Sequence, residues 1–194
     1  MPKMTMKGLI NGLALVAILA FAQTSLLAQE LVHAMVGTTA GSDPTTGSIT
    51  LQLAGRTSAS FDSKPDLSTH IAFDETLRKE STTVNELPKG TTHVIVYYYG
   101  LSPAIVVAVK DLGKRIESIT GTIASIDEAE QSITIQPETG QLATCYVSNE
   151  TTVETPYGAV DGTKYSVQKG EKVSSVCTNE AGKEMAQFVQ PLND

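Results

Sequence analysis

The chain has 194 residues, of which 21 are acidic and 14 are basic, and its formal net charge is −7. An acidic surface repels phosphate backbones, so the composition argues against a nucleic-acid-binding role that depends on a basic patch. The length allows one domain or two small ones.

The N-terminal segment, residues 1–28, has the order of a secretory signal peptide. Lys3 and Lys7 precede an apolar stretch from Gly8 to Ala22, and a short polar stretch ends at Ala28. The apolar stretch is shorter than the ~20 residues that span a bilayer, so we expect no retained membrane span. We predict cleavage after Ala28, with Ala22 as the alternative. Cleavage after Ala28 removes two lysines and no acid, which changes the net charge from −7 to −9.

A sixteen-residue stretch occurs twice in the remaining chain. Gly37 to Gln52 and Gly121 to Gln136 agree at eight of their sixteen positions when they are aligned without gaps at an offset of 84. Average composition would give roughly one match. We therefore predict two copies of one β unit, the first at residues 29–113 and the second at residues 114–194.

In the first copy, most predicted elements are strands. Residues 31–39 alternate in strand fashion, a Pro-Gly turn follows at 43–47, and a second strand contains Ile49 and Leu51. Residues 69–73 read as a short strand. Asp74 to Lys79 reads as a helical turn, because its acids come first and its bases last. Two further strands are predicted at 93–99 and 105–112.

The second copy has the same predicted order of elements. Its final strand matches that of the first copy at an offset of 80, with Val189 at the position of Val109. The middle of this copy, residues 157–165, contains Gly158 and Gly162 and is predicted to be a loop. Each unit therefore has five short strands. This favours an all-β protein with two closed or partly closed barrels, because closure removes exposed sheet edges.

The order of motifs also resembles a known family. The second copy contains G-T-x-x-x-I-D, then S-I-T-I, then V-Q-K-G-E-K-V, between Ile119 and Val189. This order is similar to a family of secreted bacterial β-barrel domains of unknown function, which often occur in tandem. The first copy follows the pattern more loosely, with Ser42 at the position of Ile126. The resemblance implies OB-like barrels and an exported protein, and it carries over no catalytic residue.

The two cysteines, Cys145 and Cys177, both fall in predicted strands of the second copy. An even count in an exported chain predicts a disulfide, and the alternative is a pair of buried reduced thiols. A bridge would close a loop of about 33 residues and contribute roughly 3.5 to 4 kcal/mol. A redox-catalytic pair is disfavoured, since the chain has no Cys-x-x-Cys motif.

Three consecutive tyrosines, Tyr97 to Tyr99, are the most suggestive feature for binding. Strand alternation sends Tyr98 to one face and its two neighbours to the other. Tyr97 and Tyr99, together with Phe61 and the loops that follow it, are therefore candidate ligand-binding residues. The alternative is that these tyrosines cover the interface between the two units, where amphipathic aromatic side chains are also favoured.

The three histidines, His33, His70 and His93, all lie in the first copy and lack metal-ligand spacing. No nucleophile elbow, phosphate loop or dinucleotide fingerprint is present, so we expect no catalytic residue, metal or cofactor. We predict a non-catalytic binding or envelope-associated structural module, periplasmic or secreted, whose partner is an unknown ligand or envelope protein. The alternative is a metal-dependent or hydrolytic enzyme that uses the three histidines with a carboxylate such as Asp74.

Overall fold

A computed structural model describes residues 30–63, 71–90, 92–100 and 102–192. The predicted signal peptide and His70 lie outside the described residues. Within these ranges the chain is almost entirely β, with a single α-helix, α1 (Glu75–Lys79). No described helix has the length and apolar character needed to cross a membrane.

The described part of the first half contains seven strands, of which five close into a barrel. They are β1 (Glu30–Leu31), β2 (His33–Asp43), β3 (Ser48–Gln52), β4 (Ser58–Ser63), β5 (Ile71–Ala72), β6 (His93–Tyr99) and β7 (Ile105–Gly113). The barrel order is β2-β3-β4-β7-β6, and β6 pairs back to β2. The β4–β7 pair is parallel, and the other four pairs are antiparallel.

The described part of the second half also contains seven strands. They are β8 (Glu117–Asp127), β9 (Ser132–Pro137), β10 (Ala143–Tyr146), β11 (Thr152–Thr155), β12 (Gly158–Asp161), β13 (Lys172–Glu180) and β14 (Lys183–Pro191). The order β8-β9-β10-β14-β13 repeats that of the first barrel, and the parallel β10–β14 pair closes the ring. The predicted all-β class with two five-stranded barrel-like units is confirmed.

The two barrels also agree in register. The β2–β3 ladder shifts between Thr39 and Gly41, and the β8–β9 ladder shifts at the equivalent place, between Ile123 and Ser125. In the turn that follows each bulge, one aspartate side-chain oxygen accepts the backbone N–H groups two and three residues further on. This arrangement is an Asx turn, which lets the strand reverse direction locally. The repeated sequence motif therefore corresponds to a repeated hairpin with the same irregularity.

The last two strands of each barrel share a second irregularity. The β6–β7 ladder shifts between Tyr97 and Tyr98, and the β13–β14 ladder shifts between Val176 and Cys177. A bulge of this kind adds one residue to one strand and bends it, which helps a short sheet to close.

Buried side chains form three clusters, one inside each barrel and one between them. The cluster between the barrels contains Val32, Ala34, Leu77, Ile95, Tyr97 and Ala108 from the first half, with Ala159, Val176 and Phe188 from the second. Alternation along β6 produces this arrangement, because Val94 and Val96 point into the barrel and their neighbours point to the other half. A unit of this size buries little core alone, so the shared cluster adds burial that neither barrel supplies by itself.

The predicted helical turn is confirmed. The side chain of Asp74 caps α1 by accepting the N–H groups of Thr76 and Leu77, and Arg78 and Lys79 lie in its last turn. This distribution of charge matches the helix dipole.

The prediction of a loop at residues 157–165 is wrong. Gly158–Asp161 is a strand that pairs with β11, and the N–H of Ala159 donates to the carbonyl of Val32 at 2.7 Å. Gly158 has φ +100°, and a Cβ there would lie 2.8 Å from the same carbonyl oxygen. The glycine therefore permits close approach of two backbones and does not break the strand.

Candidate functional site

One end of the second barrel carries a cleft of about 440 Å³. The buried side chains of Ile133, Val153 and Val189 lie at its floor and belong to the barrel core. The cleft has further apolar surface from the side chains of Ile126, Val147, Tyr165 and Val167. A volume of this size is in the range of small-molecule sites, which are mostly apolar with a few polar groups. The buried core of this barrel therefore borders a cleft of ligand size.

A β-bulge places Ile126 at this cleft. Ile123 is an inward residue of β8, and strict alternation would send a residue three positions later to the outer face. The ladder shift between Ile123 and Ser125 adds one residue, so that Ile126 pairs with Ile133. Ile126 is 39% exposed, which is high for an isoleucine on the core side of a strand.

A fixed loop forms another wall of the cleft. The hydroxyl of Tyr165 donates to one carboxylate oxygen of Glu171 at 2.8 Å, and the N–H of Gln168 donates to the other at 3.0 Å. The backbone of the loop also bonds to β8, through Ile123 N–H to the carbonyl of Glu171 and Gly170 N–H to the carbonyl of Ile123. Burial, together with the neighbouring Glu171 carboxylate, raises the pKa of Tyr165 to about 12. The phenol is therefore protonated at neutral pH, and the loop holds its ring in place.

The rim of the cleft is acidic. Asp127 and Glu128 line it, together with the polar side chains of Gln131, Thr163 and Ser166. One oxygen of Asp127 is used by the turn. Among the described lining residues there is no lysine, arginine or histidine.

The equivalent end of the first barrel is only a shallow depression of about 200 Å³. When the two copies are aligned, Asp43 and Ile49 there correspond to Asp127 and Ile133, but Ser42 stands at the position of Ile126. A serine side chain supplies no apolar wall, so the cleft is specific to the second barrel.

The aromatic residues singled out from the sequence lie away from this cleft. Tyr97 is fully buried between the two halves, and its hydroxyl lies 2.7 Å from Oγ1 of Thr152 in β11. Burial raises the pKa of Tyr97, so this hydroxyl is neutral. Tyr99 and Phe61 are also buried. None of these three side chains presents its ring to solvent in this structure, and Tyr97 occupies the interface position that the alternative interpretation describes.

The structure separates the two histidines that it describes. His33 Nδ1 lies 2.6 Å from Oε1 of Glu154, and His93 Nδ1 lies 3.2 Å from the carbonyl oxygen of Gly113. In the β2–β6 ladder His33 pairs with Tyr98 and His93 with Thr38, five steps apart, which corresponds to roughly 17 Å along the strands.

The carboxylate proposed to act with these histidines has a structural role. Besides capping α1, Asp74 lies 2.7 Å from Nζ of Lys164, which also contacts Asp161 at 3.0 Å. This ion-pair group links the first half to the second. Within the described ranges no group of three or more His, Cys, Asp or Glu side chains is placed to hold a metal ion.

The predicted disulfide between Cys145 and Cys177 is confirmed, with a Cα–Cα distance of 6.8 Å. It joins β10 to β13, which are both neighbours of β14 and not of each other. Both cysteines are fully buried in the core of the second barrel. The bridge therefore crosses the barrel interior.

Sequence reasoning missed the cleft, although part of its signal was visible. Ile126 is a large apolar residue immediately before a turn, where the first copy has Ser42. Nothing in the sequence connects this position to Tyr165 or Val167, which approach it through the fold.

No family model matches the chain, and no curated protein matches it. Among solved structures, the chain is similar to a fragment of Escherichia coli CusF, a variant with Cu(II). The identity is 15%, the TM-score is 0.33, and the match covers 41% of this chain and 94% of that one. The fold and the cleft together define a protein of two small β-barrels, one of which has an open cleft of ligand size.

Proposed function

We propose that this chain is an exported, non-catalytic binding protein and that the cleft of the second barrel is its ligand site. The observation that carries the proposal is the cleft of about 440 Å³ at the barrel end, where the partly exposed Ile126 lies beside the buried side chains of the barrel core. Small-molecule sites in proteins are clefts of this size range, mostly apolar with a few polar groups. The wall loop supports the same conclusion, because Glu171 fixes Tyr165 in place before any ligand arrives.

Two features support export to the periplasm or the cell exterior. The first is the disulfide, since disulfides persist in oxidising compartments and are rare in the cytosol. The second is the sequence of residues 1–28, which has the charge and hydropathy order of a signal peptide.

The division into two units, residues 29–113 and 114–194, is part of the proposal. It is supported by the shared strand order and by the two ladder shifts found at equivalent positions. We propose that the first barrel acts as a support that buries the outer face of the second. The resemblance to tandem secreted barrel domains is consistent with this division of roles.

The test uses N-phenyl-1-naphthylamine, a neutral apolar dye whose fluorescence rises in an apolar site. We expect the purified exported chain to bind this dye in a saturable way. Ile126→Ser introduces the residue that the first barrel has at this position, and should weaken binding about three- to tenfold through lost apolar contact.

The matched control is Leu142→Ser, because Leu142 is 59% exposed and does not line the cleft. It should leave the dye affinity within about twofold of the unchanged chain. Equal losses in the two variants, or no saturable binding to the unchanged chain, would contradict the proposed site.

A further inference from the structure

We infer that the cleft of the second barrel selects cationic amphiphiles, meaning molecules with an apolar body and a protonated or quaternary amine. The inference rests on the proposed function, because it assigns a ligand class to the same cleft.

The charges around the cleft are negative. Asp127 and Glu128 lie on the rim, and Glu171 adds a carboxylate next to the hydroxyl of Tyr165. The described lining residues include no basic side chain. A cation at the mouth is therefore attracted by several carboxylates, and an anion is repelled by them.

Two of the three lysines between residues 163 and 172 form ion pairs away from the cleft. Lys164 follows the lining residue Thr163, but its Nζ contacts Asp74 and Asp161 at the junction of the two halves. Lys172 follows Glu171, and its Nζ lies 3.6 Å from Oε1 of Glu138. The third lysine, Lys169, is exposed in the wall loop but does not line the cleft, so the charged side chains that line the cleft are the carboxylates of Asp127 and Glu128.

The rest of the cleft requires an apolar body on the ligand. A bare metal ion needs several oxygen or nitrogen ligands, whereas the floor consists of isoleucine and valine side chains. Tyr165 adds an aromatic surface, and alkylammonium groups are attracted to such surfaces. The chemistry therefore matches an amine carried on an apolar group.

The equivalent end of the first barrel lacks both an apolar wall residue and a rim carboxylate. In the alignment of the two copies, Ser42 replaces Ile126 and Pro44 replaces Glu128. The end of the first barrel thus lacks one apolar wall residue and one rim carboxylate, and it is only a shallow depression.

Three probes with the same ten-carbon chain test the charge preference: decyltrimethylammonium, decyl maltoside and decyl sulfate, each below its critical micelle concentration. Affinities are measured by displacement of N-phenyl-1-naphthylamine and by calorimetry. We expect the cation to bind about fivefold more tightly than the neutral probe, and the anion to bind most weakly. The preference should shrink as the salt concentration rises, because salt screens exposed charges.

Two double variants test whether the rim carboxylates cause the preference for the cation. Asp127→Asn with Glu128→Gln removes two rim charges, and the asparagine oxygen still accepts the N–H groups of the turn. We expect about fivefold weaker binding of the cation and a change within about twofold for decyl maltoside. The control, Asp43→Asn with Glu130→Gln, removes two charges outside the cleft and should leave both affinities within about twofold.

The outcomes separate this inference from the proposed function. If all three probes bind equally, or if both double variants lose the same affinity for the cation, the ligand class is wrong and the site remains. If neither the dye nor any decyl probe binds, both proposals fail.

Discussion

Each barrel has a side-chain contact between two strands that are not neighbours, and the chemistry of this contact differs between the barrels. In the first barrel, the rings of Phe61 and Tyr98 pack with centroids 5.0 Å apart. In the second barrel, Cys145 and Cys177 form a disulfide. Each pair joins two strands that are not neighbours in the barrel.

The ladders show that these pairs are equivalent. Phe61 pairs with Ile49, and Cys145 pairs with Ile133, so both residues and both partners occupy matching positions in the two copies. Tyr98 and Cys177 each come immediately after the ladder shift in their own strand. Both barrels therefore have a contact at this place, but the chemistry of the contact differs. In the first barrel the buried ring of Phe61 packs on the half-buried ring of Tyr98, whereas in the second a covalent bond joins strands whose side chains are small at this place.

Removal of the aromatic contact should have the largest effect on stability. Phe61 is 2% exposed, and Phe61→Ala leaves a cavity in the core of the first barrel. We expect a loss of about 3 to 5 kcal/mol in the free energy of unfolding, measured in urea. A loss below about 1 kcal/mol would show that this pair is not the counterpart of the disulfide.

Removal of the disulfide should have a similar effect on the second barrel. We expect Cys145→Ala with Cys177→Ala to lower the free energy of unfolding by about 3.5 to 4 kcal/mol, because the loop of about 33 residues is no longer closed in the unfolded chain. Dithiothreitol should lower the stability of the unchanged chain to a similar extent and leave the double variant unaffected. Thiol titration checks that reduction is complete, and an unchanged stability after full reduction would contradict the prediction.

A smaller effect is expected at the contact between the barrels. Tyr97→Phe removes the hydroxyl that bonds to Thr152 Oγ1, and both residues are fully buried. We expect a loss of about 1 to 2 kcal/mol in the free energy of unfolding, because the threonine hydroxyl is left without this partner.

A double-mutant cycle with Thr152→Val isolates the bond between these two hydroxyls. We expect a coupling energy of about 1 kcal/mol, and a coupling near zero would show that the hydroxyl pair does not join the barrels.

The smallest effect concerns the pH dependence of a second contact between the barrels. Burial raises the pKa of Glu154, and hydrogen bonds from His33 and the N–H of Ala34 offset this in part. Because the pKa is higher in the folded chain than in the unfolded one, the contribution of this group to stability falls as pH rises above about 4.5, through the folded pKa. Glu154→Gln should remove this decline and raise the stability near neutral pH.

Unfolding curves from about pH 4 to about pH 7 measure this difference. The control is Glu117→Gln. Glu117 is an exposed carboxylate, and it occupies in the second barrel the position that His33 occupies in the first. A parallel shift of both variants at every pH would contradict the assigned role of Glu154.

Much of the local structure followed from the sequence. Alternation at residues 31–39 predicted a strand, and the charge order from Asp74 to Lys79 predicted a short helix, because both depend on neighbours in the chain. The loop prediction at 157–165 failed because Gly158 allows its strand to approach the carbonyl of Val32. Val32 belongs to the first half, far away in the sequence, so no local signal indicated this contact.

The sequence by itself determined most of the barrel strands, the repeated hairpin and the presence of two similar β units, because side-chain period and turn chemistry are local properties. It also indicated the disulfide through the number of cysteines. Only the tertiary structure decided which faces meet. Tyr97 lies against Thr152, and Ile126 and Tyr165 line one cleft, through strand closure between residues far apart in the chain. The apolar floor and acidic rim of the cleft result from that closure, since its walls belong to segments with no common sequence signal.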